Sequence, residues 1–193
     1  NCYKQKSDIF SVVSSNIHEV VKTSGYTSTP GILGSDDREI VDYPNRDDRT
    51  NMLPVGIIVT DNYKGGEKRC TATLVGKNIV LTAAHCFHDD VKNEIYTKKT
   101  VFYPYMSGDH KPFGGYVARR IFLPKSYFLN QSGKPGKVNL SQQENDYALV
   151  FLNEDIGDKF GWLGMTKDED VSEVGIKILS YPADKGKKLV YQE

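Results

Sequence analysis

The stretch Arg69–Phe87, RCTATLVGKNIVLTAAHCF, constrains this chain more than any other. Two cysteines, Cys70 and Cys86, bracket two short β-like runs, CTATLV and IVLT, and Gly76-Lys77-Asn78 between them reads as a turn. That span is long enough for two paired strands, so the chain can bring the sulfurs together. Closing a loop of this size stabilises a fold by roughly 3 kcal/mol in the chain-entropy model. If the two are joined, the compartment is oxidising and the protein is exported. Cys2 is then left over: it pairs outside this chain, stays free or carries a lipid.

The flanking sequence has the same β character. Leu53–Thr60, LPVGIIVT, is an apolar run of buried-strand type, and Lys64-Gly65-Gly66 supplies a turn before Cys70. Further strands are expected at Thr100–Tyr103, Gly115–Leu123, Tyr147–Leu152 and Ile176–Ser180, and KKLVYQE at the end also reads as a strand. Many short strands with Gly/Pro turns predict an all-β barrel or sandwich. The one convincing helix candidate lies in the first 25 residues. There Ile9, Val13, Ile17 and Val20 recur at helical spacing between Ser7 and Gly25, although the β-branched content leaves a strand open. TSGYTSTPGILG follows as a linker or exposed processing site. Residues 35–51 read as a solvated charged segment, and residues 124–145 as a long polar loop. That loop holds two N-x-S sequons, at Asn130 and Asn139, which are acceptors only in a eukaryotic exported protein.

Charge excludes some classes of partner. Lys plus Arg and Asp plus Glu are both 25, so nothing favours nucleic acid or an anionic membrane. No apolar run reaches the ~18 residues of a membrane-spanning helix. The first residues, NCYKQKSD, show no signal peptide, as expected once a secretory signal has been removed.

His85 stands beside Cys86, after the small residues Thr82, Ala83 and Ala84, which leave room around an imidazole. With an unperturbed pKa near ~6.5, histidine takes up and returns a proton at neutral pH. A carboxylate that accepts from one ring nitrogen fixes its tautomer. The candidate is Asp146, which opens the apolar run Tyr147–Leu152. A carboxylate drawn toward an interior needs such a partner to offset its desolvation. His18, His88 and His110 read as ordinary surface or loop histidines, and no cluster has zinc-ligand spacing.

Cys70-Thr71-Ala72-Thr73-Leu74 through Leu81-Thr82-Ala83-Ala84-His85-Cys86 resembles the histidine box of trypsin-like (chymotrypsin-fold) serine endopeptidases. Asp146-Tyr147-Ala148-Leu149-Val150 resembles the aspartate box, in the same order. Within that family, Tyr181-Pro182-Ala183-Asp184-Lys185 and Ile32-Leu33-Gly34-Ser35-Asp36-Asp37-Arg38 are similar to segments of the bacterial glutamyl endopeptidases.

The resemblance implies an all-β, chymotrypsin-like antiparallel double β-barrel. Residues 1–31 would be a pro-segment or N-terminal extension, residues 32–155 the first barrel, and residues 156–193 the start of a second barrel left incomplete in this chain. It implies a secreted endopeptidase, held as a zymogen until a cut near Gly31. His85 is the general base, Asp146 orients it, and Cys70 and Cys86 form a disulfide. Protein or peptide substrates are implied, with cleavage after Glu as the expected specificity, and neither cofactor nor metal is. The family's Gly-x-Ser-Gly nucleophile motif is absent. Ser132, Ser141 and Ser180 lack its setting, so the serine is expected outside this chain, on a continuation or a second chain. The alternative is a catalytically inactive homologue acting as a binding or regulatory module.

Overall fold

A computed structural model describes residues 36–41, 52–61, 65–89, 94–129, 143–165 and 178–192. The helix candidate in the first 25 residues, Cys2, His18, both sequons, Ser132 and Ser141 lie outside them.

Six strands close an antiparallel barrel in the order β2-β3-β4-β9-β8-β7. They are β2 (Val55–Asp61), β3 (Glu67–Leu74), β4 (Ile79–Thr82), β7 (Thr100–Pro104), β8 (Tyr116–Phe122) and β9 (Ala148–Leu152). Closure leaves no strand edge within the barrel for other chains to pair with. β4 and β9 alternate in burial with a period of two. Their inward residues Val80, Ala148, Val150 and Leu152 join Ile58, Ala72, Leu74 and Phe102 in one core. β2 is instead buried on both faces from Val55 to Ile58, as its unbroken apolar run predicts. Its outer face meets a second cluster of Val55, Tyr105 and Leu189, with Val41, Leu179 and Tyr181 packed against it. Gly56 is required where β2 crosses β7, because a Cβ there would stand 2.3 Å from Tyr103 O.

A three-stranded sheet in the order β1-β11-β10 lies against that outer face. It consists of β1 (Glu39–Ile40), β10 (Ile178–Ser180) and β11 (Val190–Gln192). Glu39 pairs with Tyr191 and Ile40 with Val190. The segment before the barrel therefore joins strands that come after it. The sequence groups Glu39–Ile40 with the first barrel, but this strand pairs with β11. A two-stranded ribbon, β5 (His88–Asp89) with β6 (Glu94–Ile95), completes the strands among the described residues. A short helix at Lys125–Leu129 occupies the start of what reads as a polar loop.

Candidate active site

β4 delivers His85. After Thr82 the chain passes through extended Ala83 and enters a 3-10 turn, Ala84–Phe87, which buries Ala84, Cys86 and Phe87. Residues three apart eclipse in such a turn. Ala84 and Phe87 therefore share the inner side, and the side chain of His85 is left 58% exposed. Cys86 is bonded to Cys70 of β3, which ties the turn to the neighbouring strand. Thr82 Oγ1 donates to Thr71 O at 2.8 Å and strengthens the same junction.

β9 delivers Asp146. Thr82 pairs with Ala148 in the β4–β9 ladder. The residues just past Thr82 and just before Ala148 consequently meet at one end of the barrel. There His85 N–H donates to Asp146 Oδ1 at 2.8 Å, and His85 Nδ1 lies 2.7 Å from Asp146 Oδ2. Burial pushes the Asp146 carboxyl upward. Hydrogen bonds from the His85 ring and backbone outweigh that effect and hold it below its ordinary value. An ionised carboxylate only accepts, so Nδ1 carries the hydrogen and the neutral ring keeps its lone pair on Nε2. The loop bearing Asp146 is held in turn. Asp146 N–H donates to Gln143 O at 3.1 Å, and Ser126 Oγ donates to Asn145 Oδ1 at 2.6 Å. Nothing in the sequence singles out Ser126 or Asn145.

Ser180, His110 and His88, also singled out in the sequence, fall among the described residues. Ser180 belongs to β10, paired with Val190. His110 is exposed in the β7–β8 connection. His88 corrects the sequence reading, because it is 2% exposed and not a surface residue. Its ring packs edge-on against Tyr127 and Phe128, at 5.9 and 5.4 Å between centroids. The helix that carries those aromatics falls in the segment taken for a loop.

The Tyr181–Lys185 segment is anchored on both sides. Tyr181 N–H donates to Thr71 Oγ1 at 2.9 Å. Arg38 donates to Asp184 Oδ1 and Oδ2 at 3.1 and 2.6 Å, and its Nε donates to Asp36 Oδ1 at 2.8 Å. Lys185 Nζ donates to Asp36 Oδ2 at 2.8 Å. The Arg38 and Lys185 bonds hold the Asp36 carboxyl well below the usual carboxylate range.

A barrel of this topology, with histidine and aspartate joined at its rim, has the chymotrypsin fold, the fold class of the trypsin-like serine proteases. The family model described as Trypsin matches residues 46–192, and the chain belongs to that family. It is 30% identical over 160 residues to a protein named glutamyl endopeptidase from Bacillus licheniformis, across 82% of this chain and 44% of that one. A Bacillus subtilis protein named extracellular metalloprotease is 26% identical over 160 residues, across 80% of this chain and 45% of its own length. A solved Glu endopeptidase in complex with MPD superposes with a TM-score of 0.62 at 22% identity, covering 83% of this chain and 68% of that one. The chain thus spans less than half the length of these two curated relatives.

Proposed function

We propose that this chain carries the base and the orienting carboxylate of a secreted serine endopeptidase that cleaves peptide bonds after Glu. One observation carries the reading: Asp146 grips His85 at both its backbone N–H and Nδ1. The serine nucleophile stands outside these 193 residues, on a continuation of the polypeptide or on a second chain. Its Oγ attacks the scissile carbonyl while Nε2 of His85 takes its proton. The imidazolium, stabilised by ionised Asp146, returns that proton to the leaving amine as the peptide bond breaks. A water molecule then hydrolyses the acyl-enzyme through the same base.

The name of the Bacillus licheniformis relative supports Glu specificity, and the Cys70–Cys86 disulfide supports an oxidising, exported setting. In this reading residues 1–31 are a removable pro-segment. Residues 32–155 form the first barrel unit, with β1 crossing to the second, which residues 156–193 begin.

The name of the Bacillus subtilis relative raises a metal. Among the described residues, one group of three potential ligands brings its donor atoms within 4.8 Å: Cys70, His85 and Cys86. The two sulfurs are bonded to each other, so neither is the thiolate a metal takes. That donor set does not fit a metal.

The test uses the full-length secreted protein with a fluorophosphonate probe and peptides that differ only at the residue before the scissile bond. Covalent labelling of one serine, lost in His85→Ala, with cleavage confined to Glu peptides, is the expected result. Absence of labelling in the native protein would leave the inactive-homologue reading. Indiscriminate cleavage would remove the Glu specificity alone.

A further inference from the structure

We propose that Lys68 is a positioning residue for His85, holding its backbone carbonyl as Asp146 holds its backbone N–H. This rests on the reading of His85 as the general base. The backbone N–H of His85 goes to Asp146, and its carbonyl accepts from His88 N–H at the close of the 3-10 turn. Lys68 Nζ donates to that same carbonyl at 3.3 Å and to His88 O at 2.5 Å. The ammonium also lies 4.8 Å from the centroid of the Tyr96 ring. A cation placed against two carbonyls and an aromatic face loses most of its freedom, and hydrogen bonds from a charged donor are the stronger kind.

The last carbonyls of a short helical turn are open to donors from outside it. Here His88 N–H closes on His85 O, and further donors come from distant parts of the chain. Tyr96 N–H donates to Phe87 O at 2.7 Å, and Lys68 takes the carbonyls on either side, at 85 and 88. Both donors are fixed to the barrel. Lys68 pairs with Thr60 in the β2–β3 ladder, and Thr60 Oγ1 donates to Tyr96 O at 3.0 Å. Thr60 and Tyr96 are both buried, so this support has little room to shift. Together with the disulfide, it holds the His85 backbone by an anion at its N–H and a cation at its carbonyl. A base displaced by a fraction of an ångström loses rate without losing substrate affinity, which makes the role distinguishable from general stability.

The test compares Lys68→Met, which keeps the aliphatic stem, with Lys68→Arg, which keeps the donors and the stacking on Tyr96. Both are made in the full-length protein and measured well below the unfolding temperature. The primary readout is the downfield proton NMR signal of His85 Nδ1–H bonded to Asp146, with its rate of exchange with water. It needs no turnover, so a protein without peptidase activity still answers the question, and failure of the endopeptidase reading would be seen separately in the native protein. Lys68→Met should speed exchange of that proton at least about tenfold and lower kcat by about 10- to 100-fold, with KM changed less than about twofold. Lys68→Arg should restore both. If Lys68→Met does not fold, Lys68→Gln, which keeps one donor amide, should give an intermediate exchange rate. A native-like Nδ1–H signal and kcat in either neutral variant would overturn the proposal. So would an Arg variant as impaired as the Met variant.

Discussion

Asp146 grips His85 at two points of one residue, its backbone N–H at 2.8 Å and its Nδ1 at 2.7 Å, across 61 positions of sequence. One carboxylate thereby sets both the placement of the turn and the tautomer of the ring.

Asp146→Asn should separate those roles. An amide in place of the carboxylate no longer enforces Nδ1–H, and it does not stabilise an imidazolium. Turnover should fall by about three to four orders of magnitude with KM little changed, read by steady-state kinetics on an ester and a peptide. The same variant has a pH signature in stability. The folded-state carboxyl lies below its ordinary value. Its contribution is therefore complete above the unfolded carboxylate value of about 4 and is lost as pH falls through the lower folded value. Urea unfolding of the native protein should weaken over that acidic range more steeply than that of Asp146→Asn. Parallel profiles would count against the grip.

Replacing both bridged cysteines by alanine should cost roughly 3 kcal/mol, the loop-closure value for this separation. The denaturation midpoint should drop, and addition of a reductant to the native protein should reproduce the shift. Because the bridge also seats the His85 turn, activity should fall further than the folded fraction does.

Thr71 joins the barrel to the Tyr181–Lys185 segment, 110 residues away in sequence, through its hydroxyl. Thr71→Val keeps the shape and leaves the Tyr181 N–H without its acceptor, which should cost about 1–3 kcal/mol in chemical denaturation. Thr71→Ser should recover most of it. Equal stability of the Val and Ser variants would mean that the bond contributes nothing.

Arg38→Met removes the fork that spans Asp36 and Asp184. The expected consequence is local: faster hydrogen exchange at Val41 N–H, which bonds Leu189 O, with barrel amides unchanged. Asp36 stays ionised far into acid, and its contribution is lost only as pH falls through that depressed value. The native contact should accordingly survive at pH 4. Unchanged exchange at Val41 in the variant would show that strand pairing alone holds β1.

Gly56→Ala places a methyl group against the β7 backbone, where no flexible side chain can yield. The barrel has to open locally, at a cost of about 3 kcal/mol or more. Thermal unfolding measures the loss.

The strands that the sequence shows plainly are those whose environment is local in pattern. Val55–Ile58 reads as buried because its apolar run is unbroken, and Ile79–Thr82 and Ala148–Leu152 because a half-buried strand alternates. The strands that it hides are two residues long. Glu39–Ile40 has no period to detect and exists because Tyr191 and Val190 offer it an edge. The helix Lys125–Leu129 is hidden for a related reason: it is too short for a helical period, and its Tyr127 is buried against His88 by tertiary packing.

What the sequence determined by itself is the chemistry available and its local presentation: a histidine after small residues at the end of a strand, a cysteine beside it, and an aspartate opening another strand. Only the tertiary structure decided that these meet. The β4–β9 register aligns Thr82 with Ala148 and so carries His85 to Asp146, and ladder pairing is a property of two strands that neither encodes alone. The same holds for Lys68. As one lysine among 25 basic residues it carries no signal. Its role comes from a strand that sets its ammonium against the His85 and His88 carbonyls at the end of a turn.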